Sequence, residues 1–325
     1  MKKGILAGIA ALTCGLIAPM LGAAGAHAAP GARVPAAVSG GCSITDNGVW
    51  IAPPMPVLGW AENVGYDRSG DLWVSRTLRN VVQRYDRAGR VTASVVVDSP
   101  GAVRLGPDGR MYVTSGDTTV NMIPGLPLTG RVLRFRPPAR TGPEPVLPQV
   151  FATGLGMPNG LAFDARGAVY VADSNLGVVR IDPRGVIDRG WTARAPKNLA
   201  PTTTVNGTGV NGIAIADGVA YVTLTSSLSG RVLRIPLDRP EKIGVATDLT
   251  APLPGFVDDV AVLGGRWIAA ATTTGQVIVV DLRSGRRCST FVGEPLTSIA
   301  VTPGDDRRLV AGTESGNIRV LRVVD

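Results

Sequence analysis

At 325 residues the chain can hold one large domain or two ordinary ones. It is 45% hydrophobic but only 5% aromatic, with 42 Gly and 25 Pro, and its body shows no 3.6-residue apolar periodicity. That excludes a helical bundle and suits many short strands joined by many turns. The formal charge is +8, but the arginines that could form a basic face (Arg84, Arg134, Arg180, Arg234, Arg322) are spread at repeat-like intervals. They read as a dispersed, solvated rim, so no nucleic-acid partner is expected.

The first segment is unlike the rest. Lys2 and Lys3 precede an apolar Gly/Ala-rich run from Gly4 to about Leu21, which closes on Ala26-His27-Ala28. This is the charged start, apolar middle and small-residue cleavage site of an export signal, predicted over residues 1–28. An uncleaved membrane anchor is the alternative. Pro19, the glycines and the A-x-A ending favour cleavage, with no membrane association afterwards and a secreted or extracytoplasmic product. Leu12-Thr13 is not what a lipoprotein signal places before its cysteine, so lipidation at Cys14 is not expected.

Cleavage changes the available chemistry. His27 is the only histidine, so the mature chain would have none, and the net charge would fall from +8 to +6. Mechanisms that need imidazole, including Ser-His-Asp nucleophilic catalysis, are then excluded. Cys14 also leaves. Cys42 and Cys288 remain, an even pair in an exported protein, and are expected to form a disulfide.

Residues 29–42, rich in Ala, Pro and Gly, are predicted to be a flexible linker. From residue 43 a single pattern recurs: an apolar run, an Asp/Gly turn, a β-rich run, a polar loop, a third run. It is plainest in MPNGLAFDARGAVYVADSNLGVVRID (157–182), where Asp164-Ala165-Arg166-Gly167 forms the first turn. It also occupies 62–86, 101–135 with a long Pro/Gly loop, 211–235, 258–281 and 298–323. A fourth strand follows several copies: TASVVVD, QVFATG, VATDL and STFVG. After the sixth copy no fourth strand remains, but DNGVWIA (46–52) before the first is an orphan. The fold class is therefore all-β: a six-bladed β-propeller of four-stranded antiparallel blades over 43–325, its ring closed by an N-terminal strand in the last blade. Seven blades is the alternative.

In register, the residue opening each innermost strand reads Glu62, Gly101, Asn159, Asn211, Asp258 and Thr297. Innermost strands surround the channel, so Glu62, Asn159, Asn211 and Asp258 should converge at its mouth. Two carboxylates and two amide oxygens are hard donors, a set suited to one divalent cation: Ca2+ first, with Zn2+ or Mn2+ as alternatives. Each Asn-Gly alone is only a common turn pair; four oxygen donors in one register carry the argument. Asp259 rivals Asp258 as a ligand. For a hydrolase without histidine, the candidate proton acceptors are Asp258, Asp259 and Asp173. The second-to-third-strand loops (76–80, 115–130, 174–177, 225–229) should rim the pocket, and Met122, Ile123 and Leu126 give that rim an apolar sector.

An acid in blade one, Asn-Gly in two later blades, an acid in the next, and PNGLAFDARGAVYVAD (158–173) together resemble the SMP-30/gluconolactonase/luciferin-regenerating-enzyme family, over nearly all of the chain from about residue 50. The resemblance implies a six-bladed propeller with one divalent cation at the channel mouth, held by Glu62, Asn159, Asn211 and Asp258, and hydrolysis of lactones. Two features depart from it. Asp259 follows Asp258 where lactonases usually have Gly, and Met157-Pro158 stand where they carry an Arg for substrate hydroxyls.

The expected function is hydrolysis of lactones or related small esters by an exported, metal-dependent monomer acting on a small molecule. The alternative is a non-catalytic propeller that binds a small molecule or partner at the same mouth. GPDGRMYVTS also hints at a streptogramin-lyase-like propeller, but that chemistry uses histidine.

Overall fold

The computed structural model describes residues 42–53, 55, 58–139, 146–197, 202–251, 255–264 and 266–324. The predicted signal (1–28) and nearly all of the predicted linker (29–42) lie outside them. β1 (Ser43–Ile51) comes first in the chain and joins the last blade. Blade one follows as β2 (Asn63–Tyr66), β3 (Leu72–Arg76), β4 (Val81–Tyr85) and β5 (Val91–Val96). Blade two is β6 (Pro100–Leu105), β7 (Met111–Ser115), β8 (Gly130–Phe135) and β9 (Gln149–Leu155), and blade three is β10 (Pro158–Phe163), β11 (Val169–Asp173) and β12 (Gly177–Ile181). The short helix α1 (Arg189–Arg194) comes next. Blade four then holds β13 (Gly207–Ala216), β14 (Val219–Ser227), β15 (Arg231–Pro236) and β16 (Gly244–Asp248). Blade five holds β17 (Val257–Val262), β18 (Trp267–Thr272), β19 (Gln276–Asp281) and β20 (Arg287–Phe291). Blade six is β21 (Leu296–Thr302), β22 (Asp305–Thr313) and β23 (Ile318–Val324), with β1 as its outer strand.

This is the six-bladed ring that the repeat implies, closed by β1 pairing antiparallel with β23 from Ser43↔Val324 to Ile51↔Ile318. Closure covers the outer edge of β23, which would otherwise lack a partner. The Cys42–Cys288 disulfide joins the start of β1 to β20 of blade five, across a sequence separation of 246 residues.

Two expectations need correction. Blade three has three strands: after Ile181 the chain makes a single bridge to Ile187 and turns into α1, whose Trp191 packs edge-on against Tyr170. Asp188 caps α1 by accepting from the Trp191 amide at 3.0 Å, and Arg180 pairs with Asp188, so the helix covers the edge a fourth strand would pair. The arginine rim also holds only in part: Arg234 and Arg322 are exposed, but the other three pack on the blades. Arg84, Arg134 and Arg180 lie over the rings of Trp73, Phe151 and Tyr170, and Arg84 is buried.

A meander has two faces, and here each is buried against a neighbouring blade. Six apolar clusters result, one per interface: Val260, Ile268, Ile278 and Val280 pack on Val232 and Leu249, for example, and Ala271 and Val279 pack on Ile299 and Leu309. Small residues dominate near the axis because six strands crowd there. A Cβ on Gly65 would lie 2.2 Å from the Val103 carbonyl oxygen, one on Gly160 2.3 Å from that of Asn211, and one on Gly212 2.6 Å from Asp259 Cα. Asn159-Gly160 and Asn211-Gly212 are thus not turns. They lie within innermost strands, where neighbouring backbone leaves room only for glycine.

Candidate functional site

Asn159 and Asp258 are the second residues of β10 and β17, Asn211 is the fifth of β13, and the ladder to the second strand is irregular at each. Register shifts fall between Pro158 and Leu161, between Val210 and Ile213, and between Val257 and Asp259. A bulge lets successive side chains leave the strict up-down alternation, so Asn159, Asn211 and Asp258 can turn toward the mouth while the following residues rejoin the sheet. Glu62 precedes β2, its amide bonded to the Ser75 carbonyl at 2.9 Å. The segment before it is pinned by fully buried Arg76, which donates to the carbonyls of Gly59 (2.5 Å) and Gly316 (2.6 Å).

The structure brings the predicted residues together in two groups. In the first, Glu62 accepts from Trp60 Nε1 at 2.6 Å and from Asn159 Nδ2 at 3.0 Å. In the second, Asp258 Oδ1 accepts from Asn211 Nδ2 at 2.8 Å, and that amide also reaches Thr225 Oγ1 at 2.8 Å. Glu62, Asn159, Asn211 and Asp258 are all buried.

Asp259 faces elsewhere. Its carboxylate receives the Ile299 amide (3.2 Å), the Val260 amide (2.9 Å), Asn63 Nδ2 (3.4 Å) and Arg104 Nη2 (3.4 Å). Arg104 also bonds Asn63 Oδ1 and the Val64 carbonyl (2.8 Å), so this group ties blades one, two, five and six together beneath the mouth. Asp173 is occupied too. It accepts from the amides of Gly156 (2.8 Å), Asn175 (2.9 Å) and Leu176 (2.9 Å), and so shapes the loop after β11.

One residue that the innermost-strand register does not contain also stands at the mouth. Asp117, two residues beyond β7, is buried, and its Oδ2 lies 3.4 Å from Asn159 Nδ2. Glu62 and Asp117 lie within hydrogen-bonding reach of each other. The signal for Asp117 is the acid in Ser115-Gly116-Asp117, inside the second-to-third-strand loop (115–130) expected to rim the pocket; by register its blade-three counterpart is Asn175.

Burial raises the pKa of Glu62, against the donors Trp60 and Asn159. It pushes Asp117 well up, helped by the neighbouring Glu62. Asp258 also stands well above the usual carboxylate range, first from burial and then from the charges of Glu62, Asp259 and Asp117. Burial raises Glu314 as well, with Glu62 adding to it. Asp259 is raised by burial, against the pull of Arg104. Among the described residues, no Lys or Arg is a main influence on Glu62, Asp117 or Asp258. Charge buried this way must be neutralised by protons or by an external cation.

Among the described residues, no three acidic, Cys or His side chains close around a point by themselves. The donor chemistry nevertheless fits a hard cation held by a mixed set. Carboxylates come from blades one and five, and each is bonded to an amide that carries a carbonyl oxygen of its own. Among the described residues there is no histidine and the two cysteines are bridged, so neither imidazole nor thiolate competes with the oxygens.

Around the mouth, exposed apolar side chains gather on the loops that rise on this side: Leu78, Val120, Ile123, Leu126, Leu228 and Phe256. On the far side the channel opens as a cavity of about 400 Å³, lined by Leu161, Phe163, Ile215 and Val262 among others, with Arg104 at its wall.

No protein-family model matches this chain, and no curated protein sequence matches it. Solved structures do. A gluconolactonase from Xanthomonas campestris superposes with a TM-score of 0.60 at 15% identity, over 85% of this chain and 88% of that one. The calcium-binding protein regucalcin from Agrobacterium tumefaciens does so with a TM-score of 0.59 at 19% identity, over 85% and 94%. The PQQ-bound aldose sugar dehydrogenase from Streptomyces coelicolor reaches 0.61 at 15% identity, over 87% and 98%. At such identities the likeness speaks for architecture, and the chain has the six-bladed propeller fold found in gluconolactonase and regucalcin.

Proposed function

We propose that the protein is a hydrolase of lactones or related small esters, dependent on one divalent cation at the channel mouth and working outside the cytoplasm as a monomer. The observation that carries this reading is the pairing of two buried carboxylates from blades one and five, Glu62 and Asp258, with the amides of Asn159 and Asn211. The gluconolactonase and regucalcin likenesses support it. Export is supported by the amino-terminal pattern and by the disulfide, a bond that persists in oxidising compartments.

Glu62, Asn159, Asn211 and Asp258 would hold the cation, with Ca2+ the best match to an all-oxygen set. A cation held there would supply Lewis acidity toward an ester carbonyl and a water. The rest falls to the chain. Asp258 would take the proton of the attacking water: among the described residues its side-chain donor is Asn211, which orients it and leaves its second oxygen for that proton. Asp259 and Asp173 are less suited to proton transfer, because backbone amides and Arg104 occupy their oxygens. Trp60 fixes the Glu62 carboxylate.

The test is a panel of lactones and aryl esters assayed after EDTA dialysis and again after addition of Ca2+, Mn2+ or Zn2+. Cation-restored hydrolysis, lost in Asp258→Ala and Glu62→Ala, is expected. Turnover that survives both EDTA and the substitutions would refute the mechanism. The exposed apolar loops favour a second reading, a propeller that binds an apolar small molecule without turnover. Cation binding with no hydrolysis across the panel would select it.

A further inference from the structure

The ring of residues opening the innermost strands has a gap. Blade two contributes Gly101, and no side chain fits there: a Cβ would lie 2.6 Å from Thr114 Oγ1 and 3.0 Å from the Pro158 carbonyl oxygen. Blade six contributes Thr297, whose hydroxyl is committed to the Ala61 carbonyl. In blade two the missing side chain is supplied from the second strand's side. Asp117 touches Glu62 of blade one and Asn159 of blade three, so it stands in the slot that Gly101 leaves empty.

Its backbone is held for this. The Asp117 amide donates to the Ser99 carbonyl at 2.9 Å, and Gly116 before it has a φ of 96°, a conformation that favours glycine. A Cβ on Gly116 would also press on Asn121 Nδ2 and Gly130 Cα, at 3.0 and 3.1 Å. The side chain itself is 7% exposed, and its Oδ1 receives no hydrogen bond. A buried carboxylate oxygen with no donor, next to a second carboxylate, is an arrangement that an inner-sphere cation satisfies.

We propose that Asp117 is the blade-two member of the cation site and binds the ion directly beside Glu62. This rests on the cation reading above and extends it. It adds a second carboxylate beside Glu62 to a set of carboxylate and amide oxygens. That composition favours a large, hard, oxygen-seeking ion that takes six to eight ligands, and disfavours Zn2+ with its four.

Terbium(III), a hard cation of similar size to Ca2+, tests this on the folded protein without an activity assay. Trp60, bonded to Glu62, is placed to sensitise its luminescence. Decay rates in H2O and D2O count the water molecules on the ion, and titration with Ca2+ reports affinity. The expected result is that Asp117→Asn and Asp117→Ser bind Ca2+ at least tenfold more weakly than the unmodified protein and that Asp117→Ser gains one terbium-bound water. If the unmodified protein binds terbium and both variants match it in affinity and hydration, Asp117 is not a ligand while the cation site stands. If the unmodified protein shows no tryptophan-sensitised terbium signal and no Ca2+ binding, the cation reading and this proposal fall together.

Discussion

A buried acidic mouth makes the cation-free protein respond to pH in the direction opposite to that of an ordinary salt-bridged domain. Glu62, Asp117 and Asp258 have folded-state pKa values above those of the unfolded chain, which lie near 4. Between those values the folded state binds more protons than the unfolded state, so stability is greatest below about pH 4.5 and is lost as pH rises through the raised values. Each such group contributes a slope of at most about 1.4 kcal/mol per pH unit, so Asp117 and Asp258 together give at most about 2.8 kcal/mol per unit while both titrate. In a domain of this size that is roughly 5 °C of Tm per pH unit. The carboxylates held low by partners, such as Asp188 beside Arg180 and Asp248 beside Arg231, act with the opposite sign but only below about pH 4, so they do not mask the effect.

The assay is thermal unfolding in EDTA from pH 4.5 to 7.5, repeated with Ca2+. In EDTA the Tm should fall as pH rises, and Asp258→Asn should be more stable than the unmodified protein at pH 7.5, because it removes one of the mutually repelling groups. Saturating Ca2+ should reverse the order: at a hundred times its Kd it stabilises the unmodified protein by about 2.7 kcal/mol. A Tm that climbs with pH in EDTA, or an Asp258→Asn variant less stable there than its parent, would refute the electrostatic account of the mouth.

Removing the disulfide by Cys42→Ser should lower stability by at most about 5.5 kcal/mol, the chain-entropy limit for a loop of 246 residues, as read from urea unfolding. Amide exchange should quicken first in β1, which the bond tethers at the seam; uniform exchange would contradict this. Gly160→Ala should cost at least about 1–3 kcal/mol, because the new Cβ meets the Asn211 carbonyl at 2.3 Å and a backbone atom cannot step aside. Cation affinity should fall with it, and unchanged affinity would show that Asn159 does not depend on that packing. If the apolar loops line the substrate path, hydrolysis should favour lactones with longer alkyl substituents. Each buried methylene would contribute up to about 0.8 kcal/mol, and Ile123→Ser with Leu126→Ser should reduce that preference while leaving the smallest substrate unaffected.

The ring was legible in the sequence because each blade repeats one demand. A strand near the axis must be small and apolar, a turn must reverse it, and the next strand must pack on the neighbouring blade. Asp164 to Gly167 shows this well: the Asp164 carboxylate accepts from the Arg166 and Ala168 amides at 2.9 Å each, and Gly167 has a φ of 82°. Such a turn depends on its own residues and can be read locally. Blade three's missing fourth strand could not be, because α1 is only six residues long and is held by contacts to Tyr170 and Arg180 from elsewhere in the chain.

At the mouth, legibility followed the register that was chosen. Asn159, Asn211 and Asp258 share a position because each sits in the same irregularity between the first and second strands of its blade, and a bulge there is compatible with the spacing of the repeat. Asp117 belongs to a different register, one residue past the Gly116 that follows β7, so aligning innermost strands could only return Gly101 for blade two. The two facts are connected. Where the axis is too crowded for a Cβ, an oxygen can reach the mouth only from the neighbouring strand, so a glycine at one repeat position should direct attention to an acid at the next. Asp258 and Asp259 show the same constraint from the other side. At the bulge in β17 the two acids part company: Asp258 meets Asn211 at the mouth, while Asp259 meets Arg104 beneath it. An acid pair in the sequence was therefore one site residue and one structural anchor.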